Sequence, residues 1–370
     1  MRGIQDRIQQ AIDELVGSGA ERGVQVAVYC HGEQVVDAVA GLADPATGRK
    51  VTPGTVFYNF SIGKGMTAAV AHVLAGRGLF GYDTPVAELW PEFAAHGKGG
   101  VTIRHVLTHS AGVPGLPLSI TAGDLCDWDG VCSAIAGSGL WWEPGTRVGY
   151  HAYTFGFIIG EVVRRATGKP VSQILRDEVA GPLGVAGELY FGMPVTEHGR
   201  LARLEDDEAT AQMAAAMGGD LPDLPMFKAG PPALLPTAQL GNRTDILAAD
   251  IPATGKITAR AIARMYSALL GEVGGFRLIQ PERLHEVTAV AASGTDDIFG
   301  NPSSWGLGYA IGAIGSTPAD TPSVFGMAGA GGSYAGADTA TGVAFAVTKN
   351  RLTMDFSAAS RITGIVTQSV

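Results

Sequence analysis

The sequence predicts an α/β fold of the α+β kind, in which one antiparallel sheet is built from both ends of the chain. Strand patterns occur near the N-terminus and again in the last third, whereas the middle has helical periodicity. The chain also opens and closes with segments that predict helices, which can pack on the sheet. We expect residues 1–78 and 254–370 to form the α/β domain and 79–253 to form an inserted, mainly helical domain.

Composition narrows the class of protein. The 370 residues carry 26 basic and 35 acidic side chains, a formal net charge of −9, with no basic run. A nucleic-acid partner is therefore not expected. Cys30, Cys126 and Cys132 lack metal-ligand spacing, which favours free thiols in a reducing compartment, although Cys126 and Cys132 could pair.

The N-terminal segment predicts an amphipathic helix. Ile4, Ile8, Ile12 and Leu15 form one apolar stripe, and acidic and amide residues stand where a signal peptide would be apolar. No window of the sequence is long and apolar enough to cross a membrane. We therefore expect a cytoplasmic protein without a membrane partner.

A β-hairpin and a buried helix follow. Residues 23–30 alternate as a strand does, His31-Gly32 form a turn, and residues 34–41 return as a second strand. Met66 to Leu74 is rich in alanine and apolar on nearly every side, which is typical of a buried helix.

The rest of the chain is predicted to contain helices, strands and one irregular stretch. Helices are predicted at 155–165 (closed by Gly168), 171–179, 258–270 and 356–367. Strands are predicted at 305–311, 323–326, 333–337 and 343–349. Residues 184–253 are rich in Pro and Gly without periodicity, which predicts a lid or binding loop, with a flexible surface insertion as the alternative.

The sequence contains one Ser-x-x-Lys motif, Ser61 to Lys64, at the start of the buried helix. Residues three apart share a helix face, so the hydroxyl and the amine can touch. The serine also meets free backbone N–H groups and the positive end of the helix dipole, which suits a nucleophile. An N-cap serine beside an ordinary helical lysine is the alternative. A charged amine on an apolar helix favours the catalytic interpretation.

Two histidines, His105 and His109, are four residues apart on a short predicted helix that begins after Thr102, a predicted N-cap. That spacing can bind a metal, but no His-Glu-x-x-His pattern and no third ligand are evident. We expect histidines that hydrogen-bond near the site, with no metal.

Four segments in this order resemble the class C β-lactamase-like serine hydrolases, most closely the family VIII carboxylesterases, over nearly the whole chain. They are Phe60-Ser61-Ile62-Gly63-Lys64-Gly65, residues 102–112, Pro144-Gly145-Thr146 with Tyr150-His151-Ala152, and residues 325–333. The resemblance implies the β-lactamase/transpeptidase-like fold, with an α/β domain from both termini and an inserted helical domain.

The resemblance also implies catalytic roles. Ser61 corresponds to the nucleophile, Lys64 to its partner and Tyr150 to the general base, while the backbone N–H groups of Ser61 and Ala330 correspond to the oxyanion hole. A tyrosine normally titrates at about 10 and serves as a base only if a cation favours its phenolate. Lys64 is the expected cation. A loop aromatic packed on the neighbouring tryptophans is the alternative for Tyr150.

Two departures from the β-lactamase pattern concern substrate binding. Ala152 replaces the Asn of Tyr-x-Asn, and Met327-Ala328-Gly329 replaces Lys-Thr-Gly. The groups that would bind the amide and carboxylate of a β-lactam are absent, and each charge-assisted contact is worth about 1.5–3 kcal/mol. We expect a site for small or lipophilic uncharged esters, covered by Phe227 and the other apolar residues of 221–227.

The prediction is a serine carboxylesterase that forms a Ser61 acyl-enzyme from a small-molecule ester or acyl donor and needs no cofactor. An acyltransferase that passes the acyl group to an alcohol or amine, as in secondary metabolism, is the alternative. A β-lactamase or D-Ala-D-Ala peptidase is less expected, as is a non-catalytic binding protein on a hydrolase fold. The sequence makes no prediction about oligomeric state.

Overall fold

A computed structural model describes residues 3–216, 224–316 and 319–369 of the chain. The helices are α1 Ile4–Gly17, α2 Gly63–Gly76, α3 Val86–Leu89, α4 Ile103–Leu107, α5 Trp128–Gly137, α6 Thr154–Thr167, α7 Val171–Ile174, α8 Glu208–Ala216, α9 Pro225–Ala229, α10 Ala238–Gly241, α11 Thr244–Ala248, α12 Ala259–Leu270, α13 Pro281–Thr288 and α14 Ser357–Thr367. The strands are β1 Gly23–Cys30, β2 Glu33–Asp44, β3 Arg49–Lys50, β4 Phe57–Tyr58, β5 Leu189–Tyr190, β6 Glu205–Asp206, β7 Lys256–Ile257, β8 Ala292–Thr295, β9 Pro302–Trp305, β10 Ala310–Ile311, β11 Val324–Gly329, β12 Ser333–Asp338, β13 Val343–Lys349 and β14 Arg351–Leu352.

One antiparallel sheet is built from both ends of the chain, as predicted. Its strand order is β3-β2-β1-β13-β12-β11-β10-β9-β8. The N-terminal strand β1 pairs with the C-terminal strand β13, with Val26 opposite Val347. The bounds of these two central strands match the predicted 23–30 and 343–349, because their apolar patterns are continuous and end at turn residues.

The two faces of the sheet are covered by different helices. On one face, α1 and α14 pack their apolar stripes against alternate residues of the central strands, and Ile8 and Ile362 are fully buried there. On the other face, α12 packs against β1, β12 and β13. Since both faces are covered, β1 is buried along nearly its whole length rather than alternating between buried and exposed positions.

Helix α2 lies in the interior, and this determines the environment of the Ser-x-x-Lys motif. Every residue of α2 from Gly63 to Ala75 is buried, as the apolar sequence predicts. A Cβ atom at Gly63 would lie 2.0 Å from the carbonyl carbon of Thr254. The start of α2 can therefore approach the 254–255 backbone only because residue 63 is glycine.

Several predicted elements agree with the structure in detail. Thr102 caps α4 through its side chain, which accepts a hydrogen bond from the backbone N–H of His105. Helix α6 ends at Gly168, which has the left-handed conformation typical of a C-cap. Helix α7 continues as a π-helical segment, Leu175–Ala180, so the predicted helix at 171–179 is present in two forms.

Two predictions differ from the structure. The strand expected at 305–311 is two strands, because Gly308 has a φ of 86° and residues 306–309 form a turn between β9 and β10. The stretch 184–253 contains the short helices α8 to α11 and the strands β5 and β6. Leu221, part of the predicted cover, lies outside the described residues. The division of the chain at 78/79 and 253/254 stays a prediction.

Candidate active site

Ser61 lies at the junction between the sheet and helix α2. A 3₁₀ turn, Phe60–Ile62, leads directly into α2, and Phe60 has a φ of 31°, which is unusual for a residue with a side chain. The turn places the Ser61 hydroxyl in the wall of a cavity of about 300 Å³. Strained backbone geometry immediately before a reactive side chain is common at active sites.

Lys64 contacts Ser61 as the spacing predicts. Its Nζ lies 3.1 Å from the Ser61 Oγ and 3.3 Å from the carbonyl oxygen of Ala253. Only 1% of the Lys64 residue is exposed. Burial disfavours the charged ammonium and lowers the pKa of Lys64 to about 7. Near neutral pH, much of this amine is unprotonated and can accept a proton from Ser61.

Tyr150 lies close to both the lysine amine and Ser61. The Nζ of Lys64 is 4.9 Å from the centre of the Tyr150 ring. Burial raises the pKa of Tyr150 above its usual value, an interaction with the Ser61 hydroxyl lowers it, and the Asp296 carboxylate raises it further. A charged Lys64, as expected from the sequence, would lower this pKa. The structure shows the reverse, because desolvation outweighs the other contributions, and Tyr150 keeps its proton near neutral pH.

Ala330 reaches the same cavity from the end of strand β11. It begins the turn between β11 and β12, which also contains Gly331 and Gly332. The backbone N–H of Ala330 donates to no backbone acceptor within the described residues. This free donor suits the predicted oxyanion hole, because such a hole needs backbone N–H groups that the fold itself does not use.

The cavity walls are apolar. No Lys, Arg, His, Asp or Glu lines the cavity among the residues that the structure describes. The hydroxyl-bearing residues Tyr153, Thr210, Thr254 and Thr353 line it, but each hydroxyl donates to a backbone carbonyl oxygen, at 2.7, 3.3, 3.0 and 2.9 Å respectively. Apart from the groups around Ser61, the walls therefore offer few donors to a polar substrate.

Only part of the predicted substrate-binding set lines the cavity. Ala152 does, whereas Met327, Ala328, Gly329 and Phe227 do not. Met327 is 2% exposed and faces α2, where a Cβ on Gly65 would be 3.6 Å from its Cγ. Ala328 packs on the opposite face of the sheet, near α14, because successive strand residues alternate between faces.

Two wall segments were not predicted from the sequence. They are the loop around Ile298 and Phe299 and the stretch from Leu352, the last residue of β14, to Phe356. Each carries apolar side chains at turn-rich positions, Phe299 being 52% exposed. Exposed apolar side chains indicate a binding surface only where they form a contiguous patch, and the sequence does not show that these two segments are neighbours. Helix α9 contributes Met226 and Ala229 rather than Phe227.

The two histidines form hydrogen bonds. The Nδ1 of His105 accepts the backbone N–H of Thr102 at 3.2 Å, which completes a capping box. The Nδ1 of His109 accepts the backbone N–H of His151 at 3.0 Å. No group of three or more His, Cys, Asp or Glu side chains arranged to hold a metal ion occurs in the described parts of the chain.

The three cysteines are free thiols, and the pair considered from the sequence, Cys126 and Cys132, is not bridged. Burial raises the pKa of both thiols above the usual range.

Of the helices that the structure describes, none combines the length and the apolar character needed to cross a membrane.

The fold and this site define a class of protein. The family model described as Beta-lactamase matches residues 8–367, so the chain belongs to the beta-lactamase family. The chain is 37% identical over 349 residues to the protein named Esterase/beta-lactamase LipL from Mycobacterium tuberculosis, an alignment that covers 89% of this chain and 77% of LipL.

Two solved structures share the whole architecture. One is described as a family VIII carboxylesterase, with a TM-score of 0.88 and 32% identity, covering 99% of this chain and 98% of the other. The second is a penicillin-binding protein homologue from Caulobacter crescentus, with a TM-score of 0.86 and 29% identity over 99% of this chain and 98% of the other. The predicted β-lactamase/transpeptidase-like fold is confirmed.

Proposed function

We propose that this protein is a serine carboxylesterase that hydrolyses small or lipophilic, uncharged esters through an acyl-enzyme on Ser61. One observation carries the proposal: Ser61 is in contact with a buried lysine amine, and its hydroxyl opens into a cavity whose walls carry no charged side chain. A relative named as an esterase and a structural neighbour described as a family VIII carboxylesterase support the same activity.

The acylation step begins with Lys64. Its neutral amine takes the proton from the Ser61 hydroxyl, and the Ser61 oxygen forms a bond to the ester carbonyl carbon. The carbonyl oxygen becomes negatively charged and receives hydrogen bonds from the backbone N–H groups of Ser61 and Ala330. The bond to the alcohol then breaks. Tyr150 gives its proton to the departing oxygen and regains one from the Lys64 ammonium.

Water completes the reaction. The same groups act in reverse: Lys64 accepts a proton from water, whose oxygen bonds to the acyl carbon and releases Ser61. An alcohol or amine in place of water would give acyl transfer from the same acyl-enzyme. Hydrolysis is the proposal, because water needs no dedicated acceptor site.

β-Lactam hydrolysis is a second candidate, favoured by membership of the family and by the Ser61, Lys64 and Tyr150 arrangement. The cavity lining counts against it. A β-lactam carries a carboxylate, and the described walls hold no cation to bind one. Charged and neutral substrates therefore distinguish the two candidates.

We expect strong discrimination against charged acyl groups. The value of kcat/KM for p-nitrophenyl pentanoate should exceed that for mono-p-nitrophenyl glutarate, which has the same chain length, by about 10- to 150-fold. The reason is that a carboxylate in this cavity is desolvated without a partner. Nitrocefin, which also carries a carboxylate, should be a poor substrate.

Salt provides the control for this experiment. The net charge of −9 repels anions at long range, and added salt screens that repulsion. At about 0.15 M salt, charges are screened over about 8 Å. In about 0.5 M salt the long-range repulsion should be weaker still, so a ratio of kcat/KM values that is set by the cavity should persist. Equal kcat/KM values for the two esters would refute the preference for uncharged acyl groups. Faster turnover of nitrocefin than of either ester would instead support β-lactam hydrolysis.

The pH profile should follow the lysine. Since burial lowers the pKa of Lys64 to about 7, the unprotonated base is lost as pH falls through that value. We expect kcat/KM for p-nitrophenyl butyrate to fall about tenfold per pH unit below 7 and to level off above 8.

Titration of the buried histidines His109 and His151 would not explain a loss of kcat/KM below pH 7. Burial lowers the pKa of His151 to about 4 and holds that of His109 well below its usual range. Both side chains therefore stay neutral throughout the measurement. Fluorophosphonate labelling of Ser61 should show the same dependence, because it needs the same proton acceptor. A flat labelling profile between about pH 6 and 8 would contradict the role of Lys64.

A further inference from the structure

His109 has a conformation that its own sequence position does not explain. Its φ is 57°, in the left-handed region, although it carries a side chain. Histidine is among the residues that tolerate this region, but such strain persists only where surrounding contacts impose it. The residue is 1% exposed, and it is not among the residues that line the cavity. The contacts of His109 therefore indicate the role of its left-handed conformation.

His109 binds the backbone on both sides of Tyr150. Its carbonyl oxygen accepts the N–H of Gly149 at 3.0 Å. Its Nδ1 accepts the N–H of His151, also at 3.0 Å. Because Nδ1 accepts this bond, it carries no proton, and the imidazole is neutral with its proton on Nε2. The two residues that flank Tyr150 in the chain are thus both fixed by one side chain and its own carbonyl group.

The His109 ring also packs directly on the Tyr150 ring. The two ring centroids are 4.7 Å apart, with an interplanar angle of 34°. Trp305 and Phe155 pack on the same imidazole, at centroid distances of 4.3 and 5.0 Å. Trp305 also stacks on Tyr150 at 5.9 Å. The imidazole is therefore held by aromatic rings from β9 and α6, and it packs in turn on the Tyr150 ring.

We propose that His109 is a positioning residue, which fixes the Tyr150 hydroxyl relative to Ser61 and Lys64 without touching the substrate. This inference rests on the proposed role of Tyr150. The left-handed conformation of His109 directs its carbonyl oxygen and its ring toward the same short segment, residues 149–151. A misplacement of about 1 Å in a catalytic group can lower a rate by about 10². The contacts of His109 thus control kcat through Tyr150.

Two substitutions separate the contributions of the backbone, the hydrogen bond and the ring. His109→Gly accepts the left-handed conformation without strain but removes both the ring and the Nδ1 acceptor. His109→Asn also tolerates this conformation, and its side-chain oxygen can accept the His151 N–H, although the ring is lost. We expect His109→Gly to lower kcat for p-nitrophenyl butyrate by about 10² with KM changed less than about threefold. His109→Asn should recover about tenfold of that loss.

A double-mutant cycle with Tyr150→Phe tests whether His109 acts through the tyrosine. Tyr150→Phe alone should lower kcat by about 10² to 10⁴. If His109 only positions the Tyr150 hydroxyl, His109→Gly and His109→Asn should cause no further loss in the Tyr150→Phe background. A merely structural role would instead lower kcat by the same factor in both backgrounds. Thermal unfolding of each variant checks that the fold is kept.

His105→Asn is the matched control. His105 belongs to the same segment and its Nδ1 also accepts a backbone N–H, but it caps α4 and packs on no ring of the site. We expect kcat within about twofold of the unsubstituted enzyme, since Asn can accept the same bond. If His109→Gly fails to fold, the His109→Asn cycle alone decides.

The outcomes are distinguishable. Additive losses in the cycle, or an unchanged kcat in both His109 variants, would overturn the positioning role and leave the esterase proposal intact. An unchanged kcat in Tyr150→Phe would overturn the role of Tyr150 and this inference together, while fluorophosphonate labelling of Ser61 would still report on the nucleophile.

Discussion

Replacing Ser61 by alanine is expected to abolish esterase activity, lowering kcat by about 10⁴ or more. The hydroxyl is the group that forms the acyl-enzyme, since the Lys64 amine only activates it and the free N–H of Ala330 only stabilises the charge that its attack creates. Hydrolysis of p-nitrophenyl butyrate measures the rate. Mass spectrometry after fluorophosphonate treatment measures the covalent adduct, which should be absent from Ser61→Ala.

Ser267→Ala is a matched control for this experiment. Ser267 lies in α12, is 2% exposed, and has a hydroxyl without a hydrogen-bond partner in the described residues. Ser267→Ala also removes one serine hydroxyl, but from a buried position that does not line the cavity, so labelling and activity should be unchanged. Both variants should keep the cooperative thermal unfolding of the parent protein. A fluorophosphonate adduct on Ser61→Ala would show that another residue is the nucleophile.

Replacing Lys64 by methionine is expected to lower kcat by about 10⁴, the upper range for loss of a general base. Methionine has a similar volume and is apolar and flexible, so Lys64→Met removes the amine while keeping the packing. Without the amine, none of the described groups within hydrogen-bond distance of Ser61 has a pKa suited to accept its proton near neutral pH, since burial raises the pKa of Tyr150.

The chain provides a close control in Lys256. This lysine is also fully buried, its Nζ lies 5.2 Å from the centre of the Tyr58 ring, and burial lowers its pKa to about 7. Its amine donates to the carbonyl oxygens of Phe191 and Ala249 rather than to a serine.

Lys256→Met should therefore lower the free energy of unfolding by about 1–3 kcal/mol for each carbonyl left unpaired, with little effect on kcat. Lys64→Met leaves one carbonyl oxygen, that of Ala253, unpaired, so it should lower the free energy of unfolding by about 1–3 kcal/mol and, in addition, lower kcat by about 10⁴. Equal losses of kcat in the two variants would mean that Lys64 matters for packing alone. A rate in Lys64→Met within tenfold of the parent enzyme would transfer the role of base to Tyr150.

Much of the architecture follows from the sequence, because it depends on local patterns. The bounds of β1 and β13, the C-cap at Gly168 and the burial of α2 were predicted from periodicity, a single glycine and a continuous apolar run. These signals are read within one segment, where side-chain spacing and backbone conformation are directly linked. The Ser61–Lys64 contact belongs to the same group, since three residues of helix bring the two side chains together.

The chemistry of the site depends on residues far apart in the chain. The sequence identified Ser61, Lys64 and Tyr150 as one group and expected a lysine cation beside a tyrosine phenolate. The structure buries Lys64 and partly buries Tyr150, and because desolvation disfavours each charged form, it favours a neutral amine beside a neutral phenol. The apolar run predicted the burial of α2 and thus of Lys64. The rings that pack on Tyr150 come from distant segments, so no pattern near Tyr150 could predict its desolvation.

The walls of the cavity were likewise decided by the tertiary structure. Met327 matches a family motif position, but the alternation of β11 places its side chain toward α2 rather than in the cavity. Ile298, Phe299 and Met354 come from turns without a motif and do line it. The sequence by itself determined the contact between Ser61 and Lys64 and the bounds of the central strands, because these depend on spacing within one segment. The protonation states that burial favours at Lys64 and Tyr150, and the walls of the cavity, were decided only by folding, since they depend on which distant segments exclude water from one another.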